Sequence, residues 1–107
     1  MQPNDGEHPT SVAWTDQQGA DWRYALACDR TLPILTLRVC ALLELDDLDA
    51  VTGRARPNQG RLAEKLGVPS SHISQALADA VKRGYLTLIR EGDRVVYQPA
   101  LPAREEP

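Results

Sequence analysis

Three glycines divide the second half of the chain at points where a backbone must change direction. Gly67 follows an apolar-periodic segment carrying Leu62, Ala63 and Leu66. Gly84 follows a second segment carrying Ile73, Leu77, Ala80 and Val81, and Gly92 stands in Glu91-Gly92-Asp93 between two β-rich runs. A glycine just past the last periodic residue supplies the left-handed backbone that closes a helix. A glycine in a short link between alternating runs supplies a hairpin turn. Asn58 precedes the first segment and is a good N-cap, and Pro69-Ser70-Ser71 opens the second. The spacing predicts a short helix after Asn58, a tight turn at Gly67, a second helix ending at Gly84, and a hairpin of strands 85–90 and 94–98.

The first half is less sharply marked. Thr15 to Gln18 fits a Thr-x-x-Gln capping box. The stretch 20–27 reads two ways: Trp22, Tyr24 and Leu26 alternate as in a strand, whereas Ala20, Ala27 and Cys28 suit a helix. Thr31 can cap a further helix, with Pro33 in its first turn and Leu35, Val39, Leu42 and Leu43 on a wide apolar face reaching about Leu45. Asp46, Asp47 and Asp49 lead into a turn at Thr52-Gly53, and 54–56 reads as a short strand ending at Pro57. At 107 residues the chain supports one domain. We expect residues 13–101 to form it, with flexible tails at 1–12 and 102–107, and the fold to be mainly α with a small antiparallel β-hairpin.

Composition narrows the function classes. Apolar residues are 42% of the chain, enough for a core, yet none of the apolar runs approaches the roughly 20 residues that cross a bilayer. Residues 1–10 have neither a basic n-region nor an apolar h-region, so no secretory leader is expected. With two cysteines, Cys28 and Cys40, reduced thiols and a cytoplasmic setting follow. The net charge of −3 hides an asymmetry: residues 1–50 carry three basic and nine acidic side chains, and residues 51–107 carry nine basic and six acidic. That split points to a nucleic-acid face on the second half and a different role for the first. His72 has no second ligand near it, and Glu44, Asp46, Asp47 and Asp49 lack the spacing and glycine of a calcium loop. No metal, cofactor or enzymatic activity is expected, because no nucleophile with a base and no phosphate loop is present.

The order short helix, glycine turn, second helix, hairpin is that of a winged helix-turn-helix. The stretch LAEKLGVPSSHISQAL resembles the helix-turn-helix fingerprint of bacterial regulators, with small Ala63, turn residue Gly67, Val68 beneath it, and Ile73 and Leu77 facing inward. Together with TGRARPNQGRLAEKLGV and GYLTLIREGDRVVYQPAL, it looks like the winged-helix domains of plasmid and phage replication proteins and their regulators, and is similar to MarR-like and Crp-like winged helices. The likeness covers about residues 31–101. It implies sequence-specific binding of double-stranded DNA, in transcription regulation or in plasmid replication or partition, near the nucleoid or plasmid DNA. The helix near Ser70 would be the recognition helix, with Ser70, Ser71, His72, Ser74 and Gln75 facing the major groove. Arg90 and Arg94 would flank the wing tip, and Arg54, Arg56, Asn58, Arg61 and Lys65 would hold phosphates.

The sequence departs from such proteins in one respect: Ser70 to Ala78 contain no arginine or lysine. A homodimer on a two-fold site would restore affinity. Trp14, Trp22 and Tyr24 lie outside the minimal winged helix. They can pack back as core or form a dimer interface with Leu32, Leu35 and Leu42. The alternative is a winged-helix adaptor that binds a protein partner through its acidic first half.

Overall fold

A computed structural model describes residues 13–102; the expected tail at 1–12 and all but the first residue of that at 102–107 lie outside the described residues. The chain runs α1 (Asp16–Cys28), α2 (Ile34–Leu42), β1 (Leu48–Asp49), β2 (Arg54–Ala55), α3 (Gln59–Leu66), α4 (Ser70–Arg83), β3 (Leu86–Glu91) and β4 (Arg94–Pro99). Four helices thus accompany a four-stranded antiparallel sheet ordered β1-β2-β4-β3. The hairpin was expected; its extension by β2 pairing Ala55 with Tyr97, and by β1 beyond, was not.

Local chemistry explains most boundaries. Thr15 and Gln18 form both bonds of a capping box, which settles the ambiguous stretch 20–27 as helix. Asn58 accepts a hydrogen bond from the Arg61 amide at 3.0 Å and starts α3. Gly67 (φ +69°) and Gly84 (φ +92°) end α3 and α4 in the left-handed conformation. Two expectations fail in α2. Its N-cap is Pro33, not Thr31; the Thr31 hydroxyl donates instead to Asp29 at 2.7 Å. Its α-helical run stops at Leu42, and a wider π-type turn, Leu43–Asp47, follows. That turn keeps Leu43 buried and leaves Leu45 76% exposed.

The core lies between the helices and one face of the sheet. Trp22 and Leu26 of α1, Val39, Cys40 and Leu43 around α2, Leu62 of α3, Ile73 and Leu77 of α4, and Leu86 of β3 meet there. Each such large apolar side chain contributes about 1.5–3 kcal/mol by leaving water. Trp22 anchors the assembly: its indole N–H points at the carbonyls of Tyr85 and Ala100, each at 3.0 Å. Those two carbonyls flank the hairpin, so α1 is fastened to its base. Burial pushes the Cys40 thiol up to about 12, which leaves it an inert core residue. Pro102, placed in a tail by sequence, lies against Gly84: its Cα would be 3.1 Å from any Cβ added there.

Candidate nucleic-acid interface

α4 is packed against α2 and α3, and its composition divides cleanly between its two sides. Ile73, Ala76, Leu77 and Ala80 are buried. Ser70, Ser71, His72, Ser74 and Gln75, the five predicted recognition residues, are all exposed, with Ser74 toward α3 and His72 and Gln75 toward α2. Ser74 is tied to α3, because its hydroxyl donates to the Gln59 side-chain oxygen at 2.6 Å. Gln59 therefore belongs to this surface as well. Sequence reasoning missed it because residues 15 apart in the chain meet only across the turn at Gly67. His72 and Gln75 also edge a groove of about 260 Å³ with Pro33, Leu35, Thr36 and Asp79.

Arg83, at the far end of α4, faces away from this role. Its Nε donates to Asp79 at 2.9 Å and one terminal nitrogen to the Thr31 hydroxyl at 3.1 Å. Asp79 also accepts from the buried Thr36 hydroxyl at 2.9 Å. Thr31 leads on to Asp29, which accepts from the Tyr85 hydroxyl at 2.8 Å. This chain of polar contacts fixes the lower half of α4 to α2 and to the base of the hairpin. The bonds from Thr31 and Tyr85 hold the Asp29 carboxyl below the usual range. Burial, reinforced by the bond to Asp29, pushes the Tyr85 phenol up to about 12.

The predicted phosphate-binding set separates into two groups. Arg54 is ion-paired with Glu91, and Lys65 with Asp46 at 2.6 Å. Among the described residues, Arg56, Arg61, Arg90 and Arg94 are exposed and take part in none of the ion pairs. Asn58 is exposed, but its side-chain oxygen already serves as the α3 cap. Asp47 lies within the field of Arg61 and Lys65, yet burial and neighbouring Asp46 push its carboxyl up.

The register of the hairpin sets the faces of the two arginines that flank its turn. Glu91 is the cross-strand partner of Arg94, and Arg90 that of Val95. Cross-strand partners share a face and successive residues alternate, so Arg90 and Arg94 lie on opposite faces of the ribbon. By the same alternation Arg54 and Val96 lie on the face opposite Ala55 and Tyr97. There Arg54, Arg56 and Glu91 line a cleft of about 300 Å³ over buried Val96.

The predicted dimer contacts do not assemble into one surface. Trp22 is 1% exposed and Leu32 8% exposed, both in the core. Both are therefore withdrawn from any interface, since their apolar surface is already covered within one chain. Trp14 is half-buried, edge-on to Trp22 at 5.8 Å, and its indole donates to Glu44 at 3.1 Å. Leu35 is half-buried beside His72 and Gln75. Of these, Tyr24 projects outward, 73% exposed. No family model, no curated protein and no solved structure matches this chain. Among the described residues, no helix is long and apolar enough to cross a membrane.

Proposed function

We propose that this chain is a winged helix-turn-helix protein that binds double-stranded DNA as a homodimer, with α3 and α4 as the helix-turn-helix and the β3–β4 hairpin as the wing. The observation that carries this reading is the outward side of α4. It offers five hydrogen-bonding side chains and no charge at the N-terminal half of a helix that is otherwise fully anchored. Such a surface suits base edges in a major groove, where Gln75 can make a bidentate contact to adenine and Ser70, Ser71 and His72 can reach bases or phosphates. Arg90 and Arg94, on opposite faces of the wing, suit a ribbon set between two phosphate strands. Arg56 and Arg61 supply further phosphate contacts. Arg54 and Lys65, paired with carboxylates, contribute less.

The test is selection of bound duplexes from a random DNA pool at moderate salt, read by sequencing. An enriched palindrome with half-sites about 10 bp apart, or a multiple of it, is the expected result. Charge reversal at Arg90 and Arg94 should then weaken binding to all sequences. No enrichment by the folded protein would overturn the reading and turn the search to a protein partner for the acidic half. A role in transcription, replication or partition follows from where the selected sequence lies.

A further inference from the structure

The outward side of α1 is unlike that of an ordinary solvated helix. Ala20, Tyr24, Ala27 and Cys28 are all exposed and fall at helical spacing on the side opposite buried Gly19, Trp22 and Leu26, with exposed Gln17 in the same arc and Asp21 at its edge, hydrogen-bonded to each other at 2.8 Å. Beside them opens a groove of about 500 Å³, lined by Asp21, Tyr24, Ala25, Cys28, Tyr85, Leu101 and Pro102. Leu101 is itself 55% exposed. A projecting aromatic ring therefore stands on the rim of an apolar hole that it does not fill.

We propose that this face pairs with the same face of a second copy, the two α1 helices crossing antiparallel about a two-fold axis near Tyr24. A knob beside a hole on one surface is self-complementary under such an axis. Tyr24 of each copy enters the groove of the other, where the Asp21 carboxylate can accept its hydroxyl. Charge supports the antiparallel sense. Asp16 occupies the first turn of α1, and exposed Arg30 follows its last. An axis at residue 24 therefore carries each Asp16 toward the partner's Arg30 and sets the helix dipoles head to tail. The pairing leaves α4 and the wing uncovered. It deepens the homodimer part of the preceding reading and rests on that part alone.

Sedimentation of the full chain without DNA is the first measurement. The expected result is a concentration-dependent dimer that Tyr24→Glu converts to a monomer while helical circular dichroism is unchanged. A monomer at every concentration overturns the interface, and so does a dimer that survives Tyr24→Glu. The geometry is checked by Ala20→Cys, since position 20 of one copy then lies opposite Cys28 of the other. Positions 20 and 28 of one helix are about 12 Å apart along its axis, too far for an internal bridge. Diamide, which takes up the two electrons and two protons, should link Ala20→Cys chains in pairs far more completely than wild-type chains. Equal cross-linking of the two overturns the antiparallel register. Random-pool selection by the same protein reads DNA binding separately, so a monomer that still enriches a sequence refutes the interface and spares the DNA reading.

Discussion

α1 and α4 are nearly equal in length, 13 and 14 residues, and each buries one side in the same core. Their outward sides differ. α4 shows Ser70, Ser71, His72, Ser74 and Gln75; α1 shows Ala20, Tyr24, Ala27 and Cys28. Shared burial is a demand of the fold and carries no information about partners. The exposed side is where the sequence was free to be polar, and in α1 only part of it is: Gln17 and Asp21 lie beside the small side chains and Tyr24. A helix presenting hydrogen-bonding groups without charge fits a polar, patterned surface; one presenting an aromatic ring among small side chains fits an apolar cover. The two exposed sides thus differ in chemistry although the buried sides serve one core.

The largest effect should come from Trp22, which with Leu26 buries α1 in the core. Trp22→Ala should cost about 3–5 kcal/mol of folding free energy, and it leaves the Tyr85 and Ala100 carbonyls without the indole donor. Denaturant unfolding measures it. Trp22→Phe, which keeps most of the volume, should cost less; an equal loss would mean the hydrogen bonds matter more than the packing. A loss under about 1 kcal/mol for Trp22→Ala would place it among ordinary surface changes and break the claim that α1 is integral.

On the α4 side, Gln75→Ala should leave the melting temperature unchanged, because the side chain is exposed. On the proposed reading it should lower discrimination at one base pair by about 1–3 kcal/mol. Arg94→Ala should instead weaken binding evenly across sequences and reduce the slope of affinity against salt by about one. Competition titrations at several salt concentrations separate the two. If Gln75→Ala behaves like Arg94→Ala, α4 does not read base edges.

The glycines on either side of α4 give a smaller, purely structural contrast. An L-residue in the left-handed region costs about 1–2 kcal/mol. A Cβ at Gly67 meets nothing within 4 Å, so Gly67→Ala should show little beyond that backbone cost. At Gly84 the Cβ would also press on Pro102 at 3.1 Å, so Gly84→Ala should cost more. Equal effects in thermal melts would mean that the chain at Pro102 yields freely.

These glycines also mark what was legible in the sequence. Caps and turns are set by residues three or four apart, so Thr15 with Gln18, Asn58, Gly67, Gly84 and the Gly92 turn could be read directly. The inward and outward sides of α4 followed from the same short-range periodicity. What was not legible depends on distant residues. The partners of Arg54 and Lys65 lie 37 and 19 positions away, and both look like free cations in sequence. Strand β1 is two residues long and exists through its pairing with β2. Trp22 offered core and interface equally until the carbonyls 63 and 78 residues downstream were in place. The two faces of the hairpin required the register of β3 on β4.

The smallest effect concerns the contact that joins the two halves, Tyr85 to Asp29. The Tyr85 phenol is raised from 10 to about 12 by burial and by its bond to Asp29. A raised folded value means that its contribution to stability is fully present below pH 10 and is lost as pH climbs toward 12. Asp29 has the opposite sign. Its lowered carboxyl contributes above its unfolded value of 3.8, and that share is lost as pH falls below it. Tyr85→Phe should therefore lower stability at neutral pH, where that contribution is fully present, and flatten the alkaline decline between pH 10 and 12. Flattening should be partial, because burial raises Tyr97 as well. At the acid end, Asp29 keeps its two bonds from Thr31, so most of its share should survive the substitution. Unfolding free energies measured across both limbs distinguish the cases. An unchanged alkaline limb in Tyr85→Phe would mean that the phenol titrates as a free tyrosine, and the polar chain that starts at Arg83 would end at Asp29.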